Sequence, residues 1–363
     1  MRVNHPSFWI LGLAFLAAGF GCEAPKAQPL PVDCAHLPEA PLEIHPVVGA
    51  FGSKDLAFDG FGTLTGFDGT ALVRVNRAGD RTVLASADFG GEGPEGMEYL
   101  PDGRLVSASP NLGVFSVSPE GDIVPLAPDL RETFGLLLGP DGMLYAGDNH
   151  CLYRIAPDTG AQEILICSED HPDPGTFTPR IVQFNLDFSE MIVGTHENRL
   201  FLLPIDANLN PAGDPVFWLD VAGSTSGVDG LVVDVCGNYY VPSYPDELYR
   251  ITPDGVAHLY HKWSGVETLG HGLRWGTGRD GWRDDALYLP QPYGGYTVVE
   301  VVTGVPGRKF PAPPAAPGDA HALTCGASPG RRATPVGGSI LLAFCLLLLG
   351  VLPRLRPSSG GPR

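Results

Sequence analysis

The chain has 363 residues, of which 44% are hydrophobic, and it contains 48 glycines and 36 prolines. This composition suits one large folded domain with tails, and the many turn residues lack the fixed triplet of collagen. The formal net charge of -18 at pH 7 argues against a nucleic-acid partner, because an acidic surface repels a phosphate backbone.

The first 22 residues have the features of a secretory signal. Arg2 and His5 precede an apolar run over 8–21, and small residues lead up to Cys22, which predicts export. Cys22 directly follows Gly21 and resembles the acceptor cysteine of bacterial lipoproteins; the alternative is an ordinary signal peptide with an incidental cysteine. Residues 23–45 are rich in proline and predict an extended linker.

A repeated phrase indicates the fold of the central region. Residues 152–158 read Leu-Tyr-Arg-Ile-Ala-Pro-Asp and residues 248–254 read Leu-Tyr-Arg-Ile-Thr-Pro-Asp, and each copy describes a strand that runs into a hairpin turn. Looser copies surround them. Six apolar runs, spaced by roughly 40 to 50 residues, each begin with a residue pair, and this period with four short strands per unit is typical of propeller blades. We therefore expect an all-β, six-bladed β-propeller over residues 46–304, with little helix.

The last blade has no obvious outer strand of its own. After Val302 the chain enters a Pro/Gly-rich stretch over 305–338, which we interpret as a second linker. Residues 42–48 precede the first blade without an evident role, and we expect them to complete the sixth blade and remove its exposed edge. A three-stranded sixth blade is the alternative.

Four of the seven cysteines lie outside the terminal segments and suit an oxidising compartment. Cys151 and Cys167 are equally far from the hairpin turn at Thr159, so we expect them to face each other and form a disulfide. Cys34 and Cys236 then remain, and only the even number of cysteines suggests that they pair.

The C-terminal segment, 339–363, combines an apolar run over 340–352 with Arg354 and Arg356. The run is shorter than the roughly 20 residues of a spanning helix. With the upstream Cys325-Gly326 pair, it resembles the sorting signals of bacterial surface proteins, particularly the cysteine-containing myxobacterial type. A single-span anchor with cytoplasmic arginines is the alternative. We expect an exported protein held at the bacterial cell envelope or surface, attached to a membrane through its terminal anchors.

The residues that open the six apolar runs are the candidates for a site, since the first strand of each blade lines the central channel. In chain order they are Asp55, Glu95, Phe134, Asn185, Asp229 and His271. Three carboxylates, an amide and an imidazole at one channel mouth favour a divalent cation, which would relieve repulsion between the acids. Ca²⁺ is the first choice, with Mg²⁺, Mn²⁺ and Zn²⁺ as alternatives.

Residues 229–241 carry a more specific pattern. Asp229-Gly230-Leu231, followed by Asp234, Gly237 and Asn238, resembles the Asp-Gly-Leu-x-x-Asp-x-x-Gly-Asn strand pair of the gluconolactonase, senescence-marker-protein and luciferin-regenerating-enzyme family. The resemblance implies a divalent cation held by one acidic residue, an Asn and an Asp. By correspondence these are Asp55, Asn185 and Asp229, although Asn185 is followed by Leu where the family has Gly.

The resemblance also implies an activity, the hydrolysis of a sugar lactone or a related ester. Asp229 would be the catalytic residue that takes a proton from the attacking water, and Glu95 and His271 would contribute ligands or proton transfer. The alternative is a non-catalytic, surface-tethered propeller that binds a ligand or a protein. The sequence leaves open whether the chain is an enzyme; the expected small-molecule partner is a lactone or a carbohydrate-like compound, and the core is expected to be monomeric.

Overall fold

A computed structural model describes residues 32–309, apart from 50–51, 92, 173–174, 176, 222–226, 264–271 and 293–296. Within these residues, the strands form six four-stranded antiparallel sheets, and Ser168–Asp170 forms a short 3-10 helix. The expected all-β, six-bladed propeller is confirmed.

Five of the blades are made of four consecutive strands. Blade 1 contains β2 (Ala57–Phe58), β3 (Thr63–Phe67), β4 (Leu72–Asn76) and β5 (Arg81–Ala85), and blade 2 contains β6 (Glu95–Tyr99), β7 (Leu105–Ser109), β8 (Gly113–Val117) and β9 (Ile123–Ala127). Blade 3 contains β10 (Gly135–Leu138), β11 (Leu144–Gly147), β12 (Cys151–Ile155) and β13 (Gln162–Cys167). Blade 4 contains β14 (Pro179–Phe184), β15 (Glu190–Thr195), β16 (Arg199–Pro204) and β17 (Val216–Asp220), and blade 5 contains β18 (Val232–Val233), β19 (Tyr239–Ser243), β20 (Glu247–Ile251) and β21 (Ala257–Lys262).

The sixth blade joins the two ends of the propeller. It contains β22 (Arg274–Trp275), β23 (Ala286–Gln291) and β24 (Thr297–Val302), and its outer strand is β1 (Glu43–Gly49) from the start of the described chain. β1 pairs antiparallel with β24 from Glu43 opposite Val302 to Gly49 opposite Thr297. The expected closure by the N-terminal segment is therefore confirmed, and it covers the edge that β24 would otherwise expose.

An ion-pair cluster reinforces this closure. The Glu300 side chain is buried on β24, and its carboxylate contacts His45 Nε2 on β1 at 2.7 Å and Arg77 Nη2 of blade 1 at 3.0 Å. Tyr288 donates a hydrogen bond to the same carboxylate. One buried acid thus connects the closing strand, its own blade and the neighbouring blade.

Apolar side chains fill the space between neighbouring blades. In the described part of the chain, six clusters of buried hydrophobic residues each combine residues of two adjacent blades, and together they occupy all six interfaces around the ring. Trp282 and Tyr288 of blade 6, for example, pack with Leu64 of blade 1. Alternate side chains of each strand face opposite sides of a blade, which explains why the strands are almost continuously apolar.

Two disulfides hold segments to the ring. Cys151 and Cys167 lie opposite each other on β12 and β13 and are bonded, and Cys34 is bonded to Cys236 in the turn after β18. The expected Cys151–Cys167 pairing is confirmed, and Cys34 and Cys236, for which the sequence offered only the even number of cysteines, also pair. The second ties the segment before the closing strand to blade 5.

The segment after β24 also packs on the ring. Gly307 forms an isolated bridge with Asp234, and Arg308 N donates to Val233 O at 3.0 Å. Residues 305–309, counted as linker from the sequence, thus lie against blade 5. Residues 1–31 and 310–363, where the sequence predicts signal and anchor segments, are outside the described residues. The helix that the described residues contain, Ser168–Asp170, is too short to span a bilayer.

Candidate functional site

Glycines let the first strands converge where they begin, at the centre of the ring. Gly96 has φ 65°, and a Cβ there would lie 2.9 Å from Leu136 N of the next blade. A Cβ on Gly272 would overlap the Asp55 carboxylate, and one on Gly135 would lie 2.9 Å from the Ile181 side chain. Residue pairs such as Glu95-Gly96 therefore reflect close backbone approach between blades.

Asp55 lies at this convergence and is nearly completely buried, with 4% of its surface exposed. Its carboxylate accepts hydrogen bonds from Leu56 N and Met97 N, both at 2.8 Å. Arg274 Nη2 donates to Asp55 Oδ2 at 2.8 Å and to Met97 O at 2.7 Å. Leu136 O accepts a longer bond of 3.5 Å from the same nitrogen. One guanidinium of blade 6 thus contacts blades 1, 2 and 3.

Asp229 is bound in the same way on the other side of the ring. It is also buried, and its Oδ1 lies 2.7 Å from Arg180 Nη1. The Arg180 guanidinium carbon stands 3.8 Å from the centroid of the Phe134 ring, a cation-π contact. Arg180 of blade 4 thereby joins blades 3 and 5. Arg180 and Arg274 together link first strands, or the residues that lead into them, from all six blades.

Glu95, the third of the acidic residues predicted to begin a blade, has a cationic partner as well. Lys54 Nζ donates to Glu95 Oε1, and both side chains are only 13% exposed. Asp55, Glu95 and Asp229 therefore each face a cation of the protein itself. A divalent cation is favoured where carboxylates would otherwise repel each other, and here that repulsion is already relieved. The donors as placed do not suit a metal, since a second cation would lie beside the arginines and the lysine.

Asn185 lies elsewhere, which corrects its assignment as a blade opening. It follows β14 instead of preceding it, and its Oδ1 accepts from Ser189 N at 3.0 Å within the hairpin turn. The first strands run in a common direction across the ring, so residues before and after them lie at opposite faces. Asn185 is thus removed from Asp55 and Asp229.

The remaining predicted ligand, His271, is outside the described residues. Among those that are described, no group of three or more His, Cys, Asp and Glu side chains is arranged to hold a metal ion. Of the five residues predicted from the sequence, Asp55, Glu95 and Asp229 each face a cation of the protein and Asn185 lies in a turn after its strand. The metal site that includes His271 stays a prediction.

A cavity of about 580 Å³ opens at the other end of the channel, where the first strands end. All six blades line it. Its walls are mostly apolar, with Leu136, Ile181 and Val232 among the contributors, and its polar lining includes Glu98, Gln183 and three arginines, namely Arg274, Arg279 and Arg308. A smaller adjoining cavity shares most of the charged residues and adds Lys309. Basic side chains thus concentrate at one opening of a decidedly acidic protein.

The charges in this cavity differ in their surroundings. Desolvation in the channel raises the pKa of Glu98 to about 7, with Asp55 also raising it and Arg274 opposing the shift. Arg308 Nη2 donates to Leu186 O at 2.7 Å, its Nη1 donates to Asn185 O, and its pKa is lowered by desolvation. Near neutral pH the cavity therefore holds its arginines beside a partly protonated glutamic acid.

Arg180, Arg274 and Glu98 were not identified from the sequence. Arg180 stands five residues before Asn185, as Asp229 stands five before Asp234. Both Asn185 and Asp234 occupy the turn after a first strand, where each accepts a hydrogen bond from a backbone N–H four residues later. Aligning the blades on these turns would have identified Arg180 as the residue corresponding to Asp229.

No protein-family model and no curated protein matches the chain, but solved structures share its fold. A gluconolactonase from Xanthomonas campestris superposes with a TM-score of 0.57 at 15% identity, covering 73% of this chain and 89% of that one. The calcium-binding protein regucalcin from Agrobacterium tumefaciens gives 0.55 at 21% identity, with 76% and 95% covered. An auxiliary nutrient binding protein from Bacteroides ovatus gives 0.55 at 11% identity, with 73% and 76% covered. The similarity to gluconolactonase and regucalcin propellers agrees with the fold that the sequence resemblance implied.

Proposed function

We propose that this chain is a ligand-binding propeller that holds a small molecule in the cavity at the end of its channel. The observation that carries the proposal is the contrast between the two channel ends. The acids at one end are neutralised by Arg180, Arg274 and Lys54, whereas the other end has a cavity of about 580 Å³. This volume falls in the range of roughly 300–1,000 Å³ that is usual for small-molecule sites.

The fold alone is compatible with binding without turnover, since a nutrient binding protein shares it. The position of Asp229 supports the same conclusion. A general base must reach the proton that it removes, and Arg180 Nη1 lies 2.7 Å from Asp229 Oδ1. The salt bridge therefore competes for the oxygen that would contact an attacking water.

Lactone hydrolysis is the second candidate, favoured by the Asp229-Gly230-Leu231 pattern and by the shared fold of a gluconolactonase. It requires Arg180 to leave Asp229 when the substrate binds. A divalent cation belongs to this candidate as well, because one protein of the same fold is a calcium-binding protein.

One set of measurements separates the two candidates. Calorimetry with gluconate, glucono-1,5-lactone and glucose tests binding, and proton release from the lactone with and without Ca²⁺ tests turnover. We expect saturable binding of the anion gluconate, because arginines line the cavity, and no proton release from the lactone above the buffer rate. Ca²⁺-dependent release that Asp229→Asn abolishes and Asp122→Asn, at an exposed position, preserves would favour the hydrolase.

We also propose that the protein is exported, held at the bacterial envelope by its terminal segments, and monomeric in its core. The two disulfides support export, because such bonds persist in oxidising compartments. Fractionation of cells that express the full chain tests the location, with Cys22→Ser as the variant that removes the lipidation site. Release of this variant into the soluble fraction would identify Cys22 as an anchor. The elution volume of the protein in gel filtration tests whether the core is monomeric.

A further inference from the structure

The chemistry of the cavity lining indicates what kind of molecule it would accept. Arg274 Nε and Trp275 Nε1 are buried and have no hydrogen-bond partner among the described residues, and both residues line the cavity. Buried donors normally have an acceptor, because an unsatisfied one costs free energy. These two nitrogens donate and cannot accept, so the missing partners must be acceptor atoms.

The charges favour acceptors that are negative. Arg279 is exposed at the cavity, donates to Gly60 O at 3.0 Å, and forms no ion pair with the described residues. Lys309 is 3.6 Å from Asp284 in a loose pair. The acidic groups of the lining are Asp59 and Glu98; Asp59 accepts hydrogen bonds from Phe61 N and Thr63 N in its own turn.

The rest of the lining is apolar. Phe58, Leu136, Ile181, Leu231 and Val232 lie around the ring, and a molecule that fills the channel must bury its own surface against them. A small inorganic anion would leave these walls uncovered, and a neutral sugar would leave its hydroxyl groups against hydrocarbon.

We propose that the cavity binds an organic anion, a carboxylate attached to an apolar or aromatic body, with the carboxylate near Arg274, Trp275 and Arg279 and the body against the ring of apolar first-strand residues. The proposal rests on the proposed binding function and specifies its ligand class. Guanidinium groups bind carboxylates through charge-assisted, directional hydrogen bonds, and an apolar body gains free energy by leaving water.

The test uses two probes of nearly equal shape, indole-3-acetate and its neutral amide, with the whole exported protein and calorimetry as the readout. We expect the acid to bind at least about tenfold more tightly than the amide, since charged hydrogen bonds exceed neutral ones. Arg279→Met should lower the affinity for indole-3-acetate by about tenfold. Trp275→Phe should lower it by about fivefold, which is the effect of one lost hydrogen bond. Arg131→Met, at an exposed arginine outside the lining, is the matched control.

The possible results are distinguishable. Equal affinities for acid and amide, or an unchanged affinity in Arg279→Met, would overturn the anion assignment and leave the binding function in place. Inorganic phosphate that competes as strongly as the acid would overturn the requirement for an apolar body. No binding of these probes, of gluconate, of the lactone or of glucose would overturn the binding function itself.

Discussion

Arg274 Nη2 lies 2.8 Å from Asp55 Oδ2, and this contact joins residues that are 219 positions apart in the chain. Asp55 leads into the first blade and Arg274 begins the last, so the pair connects the two ends of the propeller at its axis. The β1–β24 pairing makes the same connection at the rim. The ring is therefore closed twice, once by backbone hydrogen bonds and once by a buried ion pair.

Removing one partner of this pair should destabilise the fold. In Arg274→Met the Asp55 carboxylate remains buried without its guanidinium, and such changes cost about 3–5 kcal/mol. Urea unfolding should show this loss. The double variant Asp55→Asn with Arg274→Met should recover part of it because the buried charge is gone. Asp55→Asn alone completes the cycle, and a loss in the double variant equal to the sum of the two single losses would show that the pair is not coupled.

Glu98 should make stability depend on pH. Its pKa in the folded protein is raised from the ordinary value of 4.5 to about 7, so the folded state holds the proton more tightly than the unfolded chain. The contribution of Glu98 to the free energy of unfolding should be largest below pH 4.5 and should be lost as pH rises through 7. Glu98→Gln should lack this decline and melt a few degrees higher at pH 8.

The matched control for Glu98 is Glu120→Gln, at an exposed turn position. Thermal melts of the three proteins from pH 5 to pH 8 provide the measurement. A difference between wild type and Glu98→Gln that stays constant across this range would mean that Glu98 does not titrate there.

The affinity for an organic anion should respond to the same group. The cavity charges around Glu98 are Arg274, Arg279, Arg308 and Asp59, with Lys309 beside them and Asp55 beyond Arg274. When pH falls from 8 to 6, Glu98 gains a proton and stops repelling a bound carboxylate. Calorimetry with indole-3-acetate should show tighter binding at pH 6 than at pH 8, and the affinity of Glu98→Gln should vary less.

The two disulfides should contribute unequally. The Cys34–Cys236 bond spans 202 residues and Cys151–Cys167 spans 16, and in the loop-entropy account these separations correspond to about 5 and about 3 kcal/mol. Replacing each pair with serines and measuring urea unfolding compares them. A larger loss in the Cys151→Ser, Cys167→Ser variant would contradict the loop-entropy ordering.

The fold could be predicted because its signals are local and repeated. The turn after β6 illustrates this: Gly103 has φ 89°, its N–H donates to Leu100 O, and Asp102 Oδ1 accepts from Arg104 N. Such a turn requires Pro-Asp-Gly or similar residues, so each blade that has these residues can be recognised in the sequence. The closing strand was predictable because a blade without an outer strand leaves an edge exposed.

The site was harder to predict because its contacts are distant and one blade lacks the usual trace. In blade 4 the left-handed turn position is Phe188, with φ 59°, where other blades have glycine. Without that glycine the pair Asn185-Leu186 resembles a blade opening, which shifts the predicted first strand of blade 4 from β14 to β15 and leaves Arg180 outside the predicted site. The partners of Asp55 and Asp229 could not be predicted from local patterns, because no periodicity relates them.

Blade 6 takes its outer strand, β1, from the start of the described chain, and this arrangement should tolerate circular permutation. Because β1 is fixed to β24 along its length, the connection between β1 and β2 is topologically a loop between two adjacent blades, like the other five connections. A circular permutant with new ends between two other blades should therefore keep every sheet of the ring.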